Sequence, residues 1–471
     1  MSFISNSNIV IKLKAKLTTY LLENPTRKGV IQIAWPVLTE LLLGSLFGMV
    51  DMMMLGRIKN TAEAAASVAA VGITNQPMFI CLALVQALNV GGTAMVARYV
   101  GAKQAHRIDN IVKHVVLLNL LLLALPLSIL GITFTDKIMS FLGAQNDTIA
   151  IGRLYFKIIM VGLVFQSLNF SLAAALRGAG DTKMPMGINL KVNFLNVIGN
   201  MLLIYGLLGF PRLGVIGAAV STALSQVLAS ILLFYNIIIG KSIISFNFKN
   251  KFSFNRDTIY NLVKIGIPAS LEQIVMRAGL LMFVKIVASL GTTIFAAHQV
   301  SLNIFNLSFQ PGQAFGIAAS SLVGQNLGAG NPKQAELYAK EARRIGSIIS
   351  SSMAVLFFVF GPQLVSLYTT DPEIIKSAST ALKIIAVVQP FQSSQLILAG
   401  GLRGAGDTIS PLISTFIGIL GVRVALSYLF VNALGYGLAG AWMAVLVDQL
   451  VRWALIYIRF QSGKWKYVAL R

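Results

Sequence analysis

Four acidic residues lie inside long apolar stretches of this chain: Glu40, Asp51, Glu272 and Asp448. If these stretches cross a membrane, a carboxylate within them costs at least about 2.5 kcal/mol and usually has a function. Such a side chain can take up and release a proton, because removal from water disfavours its charged form. Its oxygens can also coordinate a hard cation such as Na⁺. The alternative for each residue is a hydrogen-bonded structural role.

Asp51 is the strongest of these candidates for cation binding. It lies in the segment GMVDMMM, and no Lys or Arg within five positions can neutralise it. A second apolar stretch, NFLNVIGN, contains Asn193, Asn196 and Asn200, of which the last two share a helix face because they are four residues apart. Buried amides either hold helices together or contact a carboxylate, a cation or a substrate. Both roles are compatible with the sequence.

The composition is that of a membrane protein. Hydrophobic residues make up 56% of the 471 positions and charged residues 11%, against roughly a quarter charged in soluble proteins. The net charge of +22 would also suit nucleic acid, but Lys and Arg occur mainly in short segments between apolar runs, so we expect no nucleic-acid partner. The runs are continuous rather than alternating, which excludes an outer-membrane barrel.

Signals for other classes of protein are weak. The single cysteine, Cys81, lies in an apolar run and cannot form an intramolecular disulfide. No cleavable signal peptide is expected in residues 1–30, which are polar and basic. We find no Walker A motif, metal-ligand cluster or nucleophile elbow, and therefore predict neither an enzyme nor a bound cofactor.

The elements that position these residues are predicted to be twelve transmembrane helices. They lie near 31–56, 64–97, 109–133, 149–177, 184–208, 214–239, 262–289, 292–325, 344–369, 376–402, 410–431 and 437–460. Basic residues concentrate in the N-terminal segment, in alternate connections and in the tail. The positive-inside rule then predicts cytoplasmic termini. The predicted domains are a cytoplasmic segment (1–30), an N-lobe (31–239), a cytoplasmic linker (240–261), a C-lobe (262–460) and a cytoplasmic tail (461–471).

The two lobes are predicted to be homologous. FQSLNFSLAAALRGAGDTKMP at 165–185 aligns without gaps with FQSSQLILAGGLRGAGDTISP at 391–411. MVARYVGA at 95–102 likewise aligns with LVGQNLGA at 322–329. Because each half has an even number of helices, both enter the membrane from the same side, and the repeat is parallel.

Both copies of RGAGDT are predicted to form the turn between the fourth and fifth helices of a half. A glycine with positive φ is needed where a helix ends, and we assign this role to Gly178 and Gly404. The following aspartate (181 or 407) or threonine can cap the next helix. The arginine (177 or 403) is favoured at a helix C-terminus. We therefore interpret the motif as structural.

The chain resembles the bacterial multidrug and toxic compound extrusion (MATE) transporters over about residues 31–460. The resemblance is carried by PVLTELLLGSLFGMVDMMMLGRI (36–58), AAVGITNQ (69–76), both copies of LRGAGDT, AAHQVSLNIFNLSF (296–309) and LVGQNLGAGNPKQA (322–335). It implies an all-α polytopic fold in which two six-helix lobes form a V around a central cavity. It also implies cation-coupled drug export.

The resemblance also implies residue roles. Asp51 corresponds to the coupling acid of the N-lobe, and Asn196 and Asn200 are its implied partners. The DinF-like branch carries Asp at the position of Asn200, so this chain is more similar to NorM-like members. The acids of the NorM-like C-lobe sodium site fall on Met276 and Gln392. That site is expected to be absent unless Glu272, one turn away, substitutes.

Several residues are candidates for a substrate cavity, although packing or helix contact is the alternative for each. They are Glu40, Glu272, Gln166, Gln392, Met276, Phe165 and Phe391. Glu40 and Glu272 occupy equivalent positions in the repeat, which also suggests that each accepts hydrogen bonds from a neighbouring helix. Asp448 and Arg452, four residues apart, are predicted to pair, and His298 is interpreted as a hydrogen-bonded helix-contact residue.

The predicted function is secondary active antiport in a plasma membrane, exporting amphipathic, often cationic compounds in exchange for H⁺ or Na⁺. We expect a monomer whose partners are small molecules and the lipid bilayer. A flippase for lipid-linked oligosaccharides or lipids is one alternative, and a non-transporting scaffold or receptor is another. The sequence names neither the exported compounds nor the coupling ion.

Overall fold

The computed structural model describes residues 24–58, 61–242, 244 and 252–469, which form twelve long helices. In the first half these are α1 Pro25–Gly56, α2 Thr61–Gly101, α3 Ala105–Thr133, α4 Asn146–Ala179, α5 Lys183–Tyr205 and α6 Gly214–Ile238. In the second half they are α7 Arg256–Ala288, α8 Thr292–Gly328, α9 Pro332–Ser366, α10 Pro372–Gly404, α11 Ile409–Ala433 and α12 Gly437–Gln461. A short helix, Thr135–Phe141, follows α3. The described residues contain no β-strand.

Ten of these helices, α1–α6 and α9–α12, are long and apolar enough to cross a membrane. The other two are as long, but charged residues are spread along the whole of α7, and α8 contains more Ser, Asn and Gln. Many of these polar groups, including Ser301, Ser308 and Ser321 of α8, are buried against other helices. Since α8 packs against helices of both halves, it needs less apolar surface than a helix that faces lipid. The twelve-helix, all-α fold predicted from the sequence is confirmed.

The two halves form two lobes that meet through α1 and α2 on one side and α7 and α8 on the other. In the duplication α1 corresponds to α7 and α2 corresponds to α8. The contact between α1 and α8 is therefore equivalent to the contact between α7 and α2, and α2 also crosses its own counterpart, α8. This pattern follows from a pseudo-twofold relationship between the lobes, in agreement with a parallel duplication.

Two glycines make the crossing of α2 and α8 possible. A Cβ atom on Gly101 would lie 1.8 Å from the carbonyl oxygen of Gln325, and one on Gly328 would lie 1.9 Å from that of Arg98. These two contacts are equivalent under the repeat. The backbones therefore approach as closely as they do in small-residue crossings of membrane helices, where any larger residue would separate them.

Two helices of the second half begin well before the spans predicted for them. Helix α9 begins at Pro332, twelve residues before the predicted start at 344. Its first turns carry Lys and Glu outward and bury only Ala335, Ala339 and Ala342, so hydropathy does not detect them. Helix α7 begins at Arg256, inside the predicted linker. Residues 243 and 245–251 of that linker, residues 1–23 of the N-terminal segment and the last two residues of the tail lie outside the described residues.

The RGAGDT turns differ from the prediction in which glycine adopts positive φ. Gly180 (φ 90°) and Gly406 (φ 89°) do so, rather than Gly178 and Gly404. The latter two are helical, and a Cβ on them would lie 2.6 Å from Thr93 O and 2.0 Å from Ser320 O. They are glycines because another helix passes close by, not because the chain turns there.

The predicted aspartate caps are present in both turns. The Oδ1 atom of Asp181 accepts a hydrogen bond of 3.2 Å from the backbone N–H of Met184. Asp407 accepts the equivalent bond from the N–H of Ser410, also at 3.2 Å. Each side chain satisfies an N–H that the first turn of the following helix leaves free.

Candidate functional site

The side chain of Asp51 projects from the last two turns of α1 toward α5. It is half-buried, and its Oδ1 accepts a hydrogen bond of 2.7 Å from Nδ2 of Asn200. One turn further along α1, the hydroxyl of Tyr205 donates to the carbonyl of Met54 at 2.7 Å. These two bonds fix the spacing between α1 and α5 around the carboxylate.

Asn196 lies one turn before Asn200 and is also buried. Its amide has two hydrogen-bonded orientations. In one, Nδ2 donates to the Ser221 hydroxyl of α6 at 3.2 Å. In the other, Nδ2 donates to Oδ2 of Asp51 at 3.3 Å, while the amide oxygen accepts from Ser221 Oγ and from Thr222 N at 3.2 Å each. The second orientation satisfies both ends of the amide, so α1, α5 and α6 converge on one carboxylate.

Close packing of α5 and α6 brings these polar groups together. Gly199 lies between the two asparagines, and a Cβ there would be 2.5 Å from the Ser221 hydroxyl. A Cβ at this position would displace the Ser221 hydroxyl from its bonds with Asn196. The glycine therefore allows α6 to keep these contacts with the face of α5 that carries both amides. The sequence contains this signal in NVIGN, but nothing in it identifies α6 as the approaching helix.

The site has an excess of oxygen acceptors. Among the described residues, no Lys or Arg forms an ion pair with Asp51. The Oδ1 atom of Asn200 is buried, and no donor in the described part of the chain bonds to it. A carboxylate beside a buried amide oxygen, with no cationic side chain paired to either, can bind a proton or coordinate a small hard cation. The described residues hold no cluster of three His, Cys, Asp or Glu that would favour a transition metal.

Glu40 lies further toward the beginning of α1 and is paired with the repeated motif. Its Oε1 accepts hydrogen bonds of 2.7 Å from Arg177 at the end of α4 and of 2.7 Å from Asn189 of α5. Its second oxygen is buried and accepts no hydrogen bond from any residue that the structure describes. The carboxylate thus ties three helices of the N-lobe together at this level.

Glu272 has the same arrangement in the C-lobe. Arg403 at the end of α10 pairs with its Oε1 at 2.6 Å, and Thr415 of α11 donates to the same oxygen at 3.2 Å. Arg403 and Thr415 are the repeat counterparts of Arg177 and Asn189. The arginine partners were not predicted, although two positions of opposite charge that are both retained in the duplication could have indicated them.

The remaining cavity candidates lie on α4, α7 and α10. Phe165 and Gln166 are half-buried on α4, and Met276 is half-buried on α7. Phe391 of α10 packs edge-on against Trp453 of α12, with ring centroids 5.2 Å apart. Gln392 is buried, and within the described residues neither its amide oxygen nor its amide nitrogen has a hydrogen-bond partner. None of these residues forms a hydrogen bond with Asp51 among the described residues.

The spacing of Asp448 and Arg452 allows a pair, but no ion pair joins them among the described residues. Asp448 of α12 accepts a bond of 2.9 Å from Nε of Arg423 on α11. Arg452 instead donates to Thr415 at 3.4 Å, which connects it to Glu272. Gly418 of α11 sits directly above the Asp448 and Arg452 side chains, so α11 comes close enough for its own arginine to reach the carboxylate.

His298 is buried as predicted, but it is not hydrogen-bonded. Neither ring nitrogen has a partner among the described residues. The ring packs instead against Phe283 and Trp442, with centroid distances of 5.5 and 5.6 Å. The interpretation as a residue satisfied by hydrogen bonds is therefore wrong, and aromatic contacts hold the ring.

Comparison with known proteins identifies relatives along nearly the whole chain. A model of the MatE family matches residues 36–202 and 268–429. The probable multidrug resistance protein NorM of Thermotoga maritima is 31% identical over 451 residues, which cover 93% of this chain and 93% of that protein. The uncharacterized transporter YisQ of Bacillus subtilis is 28% identical, with 94% and 96% covered.

Solved structures share the fold. One describes the outward-facing conformation of a multidrug resistance MATE family transporter of the MOP superfamily. It aligns with a TM-score of 0.85 and 23% identity, covering 95% of this chain and 98% of that chain. A second, of MATE in the bent conformation, aligns with a TM-score of 0.84 at 23% identity.

Proposed function

This chain belongs to the MatE family, and on that premise we propose that it is a secondary active antiporter that exports amphipathic, often cationic compounds. The coupling ion is H⁺ or Na⁺, and it binds at Asp51. The single observation that carries this proposal is a carboxylate in a membrane helix that faces two amides and forms no ion pair within the described part of the chain. The prediction that the chain is not an enzyme is confirmed by its relatives, which are transporters.

The transport cycle is alternating access between the two lobes. Asp51 takes up the ion while the cavity is open to the outside. Binding of the ion changes the charge of the Asp51 carboxylate and its hydrogen bonds with α5. Because Asn200 and Asn196 bond to the carboxylate, this change acts on the packing of α1, α5 and α6. The ion drives export only if it binds the two conformations with different affinities.

The proposed location is a plasma membrane, with both termini in the cytoplasm. The support is the concentration of Lys and Arg in segments on the side where the chain begins and ends. On this assignment, the lobes of the described conformation touch at the cytoplasmic side: Gln325 donates to Gly178 O at 2.9 Å and Ser321 donates to Arg177 O at 2.7 Å. This arrangement suits an outward-facing state.

The proposal is tested in proteoliposomes with H⁺ and Na⁺ gradients imposed separately and a cationic dye as cargo. We expect one of the two gradients to drive dye movement, and Asp51→Asn to abolish that gradient dependence. The matched control is Asp136→Asn, which removes the same charge from an exposed ion pair with Arg153. Gradient-driven transport that survives in Asp51→Asn would remove Asp51 from the mechanism.

A further inference from the structure

An open groove lies on the C-lobe between α9 and α12, with α10 as its floor. It has a volume of about 540 Å³ and is lined by Lys340, Arg343 and Arg344 on one side and by Phe391 and Trp453 on the other. None of the candidate coupling residues lines it, and among the described residues Phe391 is the one substrate-cavity candidate that does. The groove lies on α9, α10 and α12, away from Asp51 and its partners on α1 and α5.

The charged part of the groove is basic. Three cations line it, against one carboxylate, Glu341. Lys340 pairs with Glu336 outside the groove lining at 2.5 Å. Glu341 pairs with Arg344 at 4.0 Å and with Arg27 of α1 at 3.0 Å.

Arg343 has no ion pair with a carboxylate among the described residues. Its guanidinium lies over the ring of Tyr457, 5.3 Å from the centroid. A half-buried guanidinium without a counter-ion is a binding partner for an anion.

The apolar part of the groove begins where the basic part ends. After Arg344, helix α9 continues as an apolar segment. Trp453 stacks on Tyr457 with ring centroids 5.4 Å apart, and its indole N–H donates to Ser394 at 3.1 Å. Aromatic residues of this kind are typical of the level of lipid headgroups. The groove thus passes from a basic end to an apolar wall along the helices.

We propose that this groove binds an anionic phospholipid. Its phosphate lies against Arg343, with Lys340 and Arg344 on either side, and an acyl chain follows Phe391 and Trp453. A basic pocket between transmembrane helices recognises a lipid headgroup by its charge, and a free anion would leave the aromatic wall unused. Because Glu341 joins the groove to Arg27, the bound lipid sits beside a contact between the lobes.

The test is native mass spectrometry of the purified full-length protein, titrated with phosphatidylglycerol, phosphatidylcholine or inorganic phosphate. We expect phosphatidylglycerol to bind more tightly than phosphatidylcholine, and inorganic phosphate not to compete with it. Removing one cation, Arg343→Gln, should weaken phosphatidylglycerol binding about fivefold. Arg343→Lys keeps the charge and should retain most of the affinity.

Two controls separate the site from general effects. Arg153→Gln removes one charge from an exposed ion pair away from the groove and should leave the affinity unchanged. Trp453→Leu keeps every charge and should weaken lipid binding. Equal binding of the two lipids, or an Arg343→Gln protein that elutes as a single species and binds like the wild type, would overturn the proposal. Competition by inorganic phosphate would reduce the site to one for free anions and would overturn it as a lipid site.

Discussion

At the scale of single residues, the two oxygens of Asp51 face amide donors rather than cations. An amide donor stabilises the negative charge without neutralising it, so the carboxylate still attracts a counter-ion. The unpaired oxygen of Asn200 adds a second acceptor beside it. Asn200 therefore contributes in two ways: its N–H₂ group orients the carboxylate and its oxygen is available to a cation.

The first prediction concerns this amide. Asn200→Leu has a similar volume but loses the bond of 2.7 Å to Asp51. A hydrogen bond to a charged group contributes about 1.5–3 kcal/mol, so we expect the rate of ion-driven efflux to fall by about tenfold or more. The measurement is dye efflux at fixed ion gradient.

The control for this prediction is Asn193→Leu. Asn193 is a half-buried asparagine of the same helix, and no bond between it and Asp51 is present. Its replacement should leave the ion dependence intact. Equal losses in both variants would mean that α5 tolerates neither change, and the specific role of Asn200 would then be refuted.

At the scale of elements, the ends of α4 and α10 are held by ion pairs that the duplication has preserved. Arg177 and Arg403 each reach a glutamate on the first helix of their lobe. Both glutamates are also bonded by the fifth helix of the lobe, through Asn189 or Thr415. This repeated three-helix connection favours a structural role for Glu40 and Glu272 over direct contact with cargo.

The second prediction follows from burial of these pairs. Arg177→Met leaves the charge of Glu40 without its cation, and breaking a buried pair in this way costs about 3–5 kcal/mol. We therefore expect clearly reduced thermal stability in detergent, followed by intrinsic tryptophan fluorescence. Arg403→Met should have a similar effect in the other lobe.

The comparison variant is Arg153→Met, which breaks an ion pair whose two side chains are 53% and 52% exposed. Exposed pairs contribute less than about 1 kcal/mol, so its unfolding temperature should stay near that of the wild type. If Arg177→Met were as stable as Arg153→Met, the three-helix connection would not hold the lobe together.

At the scale of the whole molecule, the lobes are joined mainly at the side where the chain begins and ends. Among the described residues, the bonds that link the two halves of the chain at this side include Arg27 with Glu341, and Arg98 Nη1 donating to Val468 O at 3.0 Å. The reciprocal glycines Gly101 and Gly328 let α2 and α8 touch there. Closure of this side therefore depends on the absence of two Cβ atoms.

The third prediction tests that dependence. In Gly101→Ala, the new Cβ would lie 1.8 Å from Gln325 O, so α2 and α8 must separate by on the order of 1 Å or more to restore normal packing. We expect the closed arrangement to be less populated. Spin labels at the exposed positions Lys103 and Lys333 should show longer distances by pulsed electron resonance.

Gly187→Ala serves as the reference, because a Cβ on this helical glycine meets nothing within 4 Å. It should leave the label distances unchanged and add slightly to helix stability. A distance distribution in Gly101→Ala that matches the one in Gly187→Ala would show that the close crossing does not control closure.

The sequence by itself determined the twelve helices, the duplication and the positions of the intramembrane carboxylates. The hydrocarbon core of a membrane requires long apolar helices, and a duplicated chain repeats its residues in the same order. Both features are therefore visible in the order of residues along the chain. It also identified Asn196 and Asn200 as one helix face, because the helical repeat is a local property.

Only the tertiary structure decided which group each charge faces. Asp448 pairs with Arg423 and not with Arg452, which is closer to it along the chain. Glu40 pairs with Arg177, which is 137 residues away in the sequence. The same holds for the glycines, since Gly178 and Gly404 are required by a neighbouring backbone and not by a turn. The partner of each charged side chain depends on which helix faces cross and on the distance between those helices. Spacing along the chain carries no information about the distance between two helices.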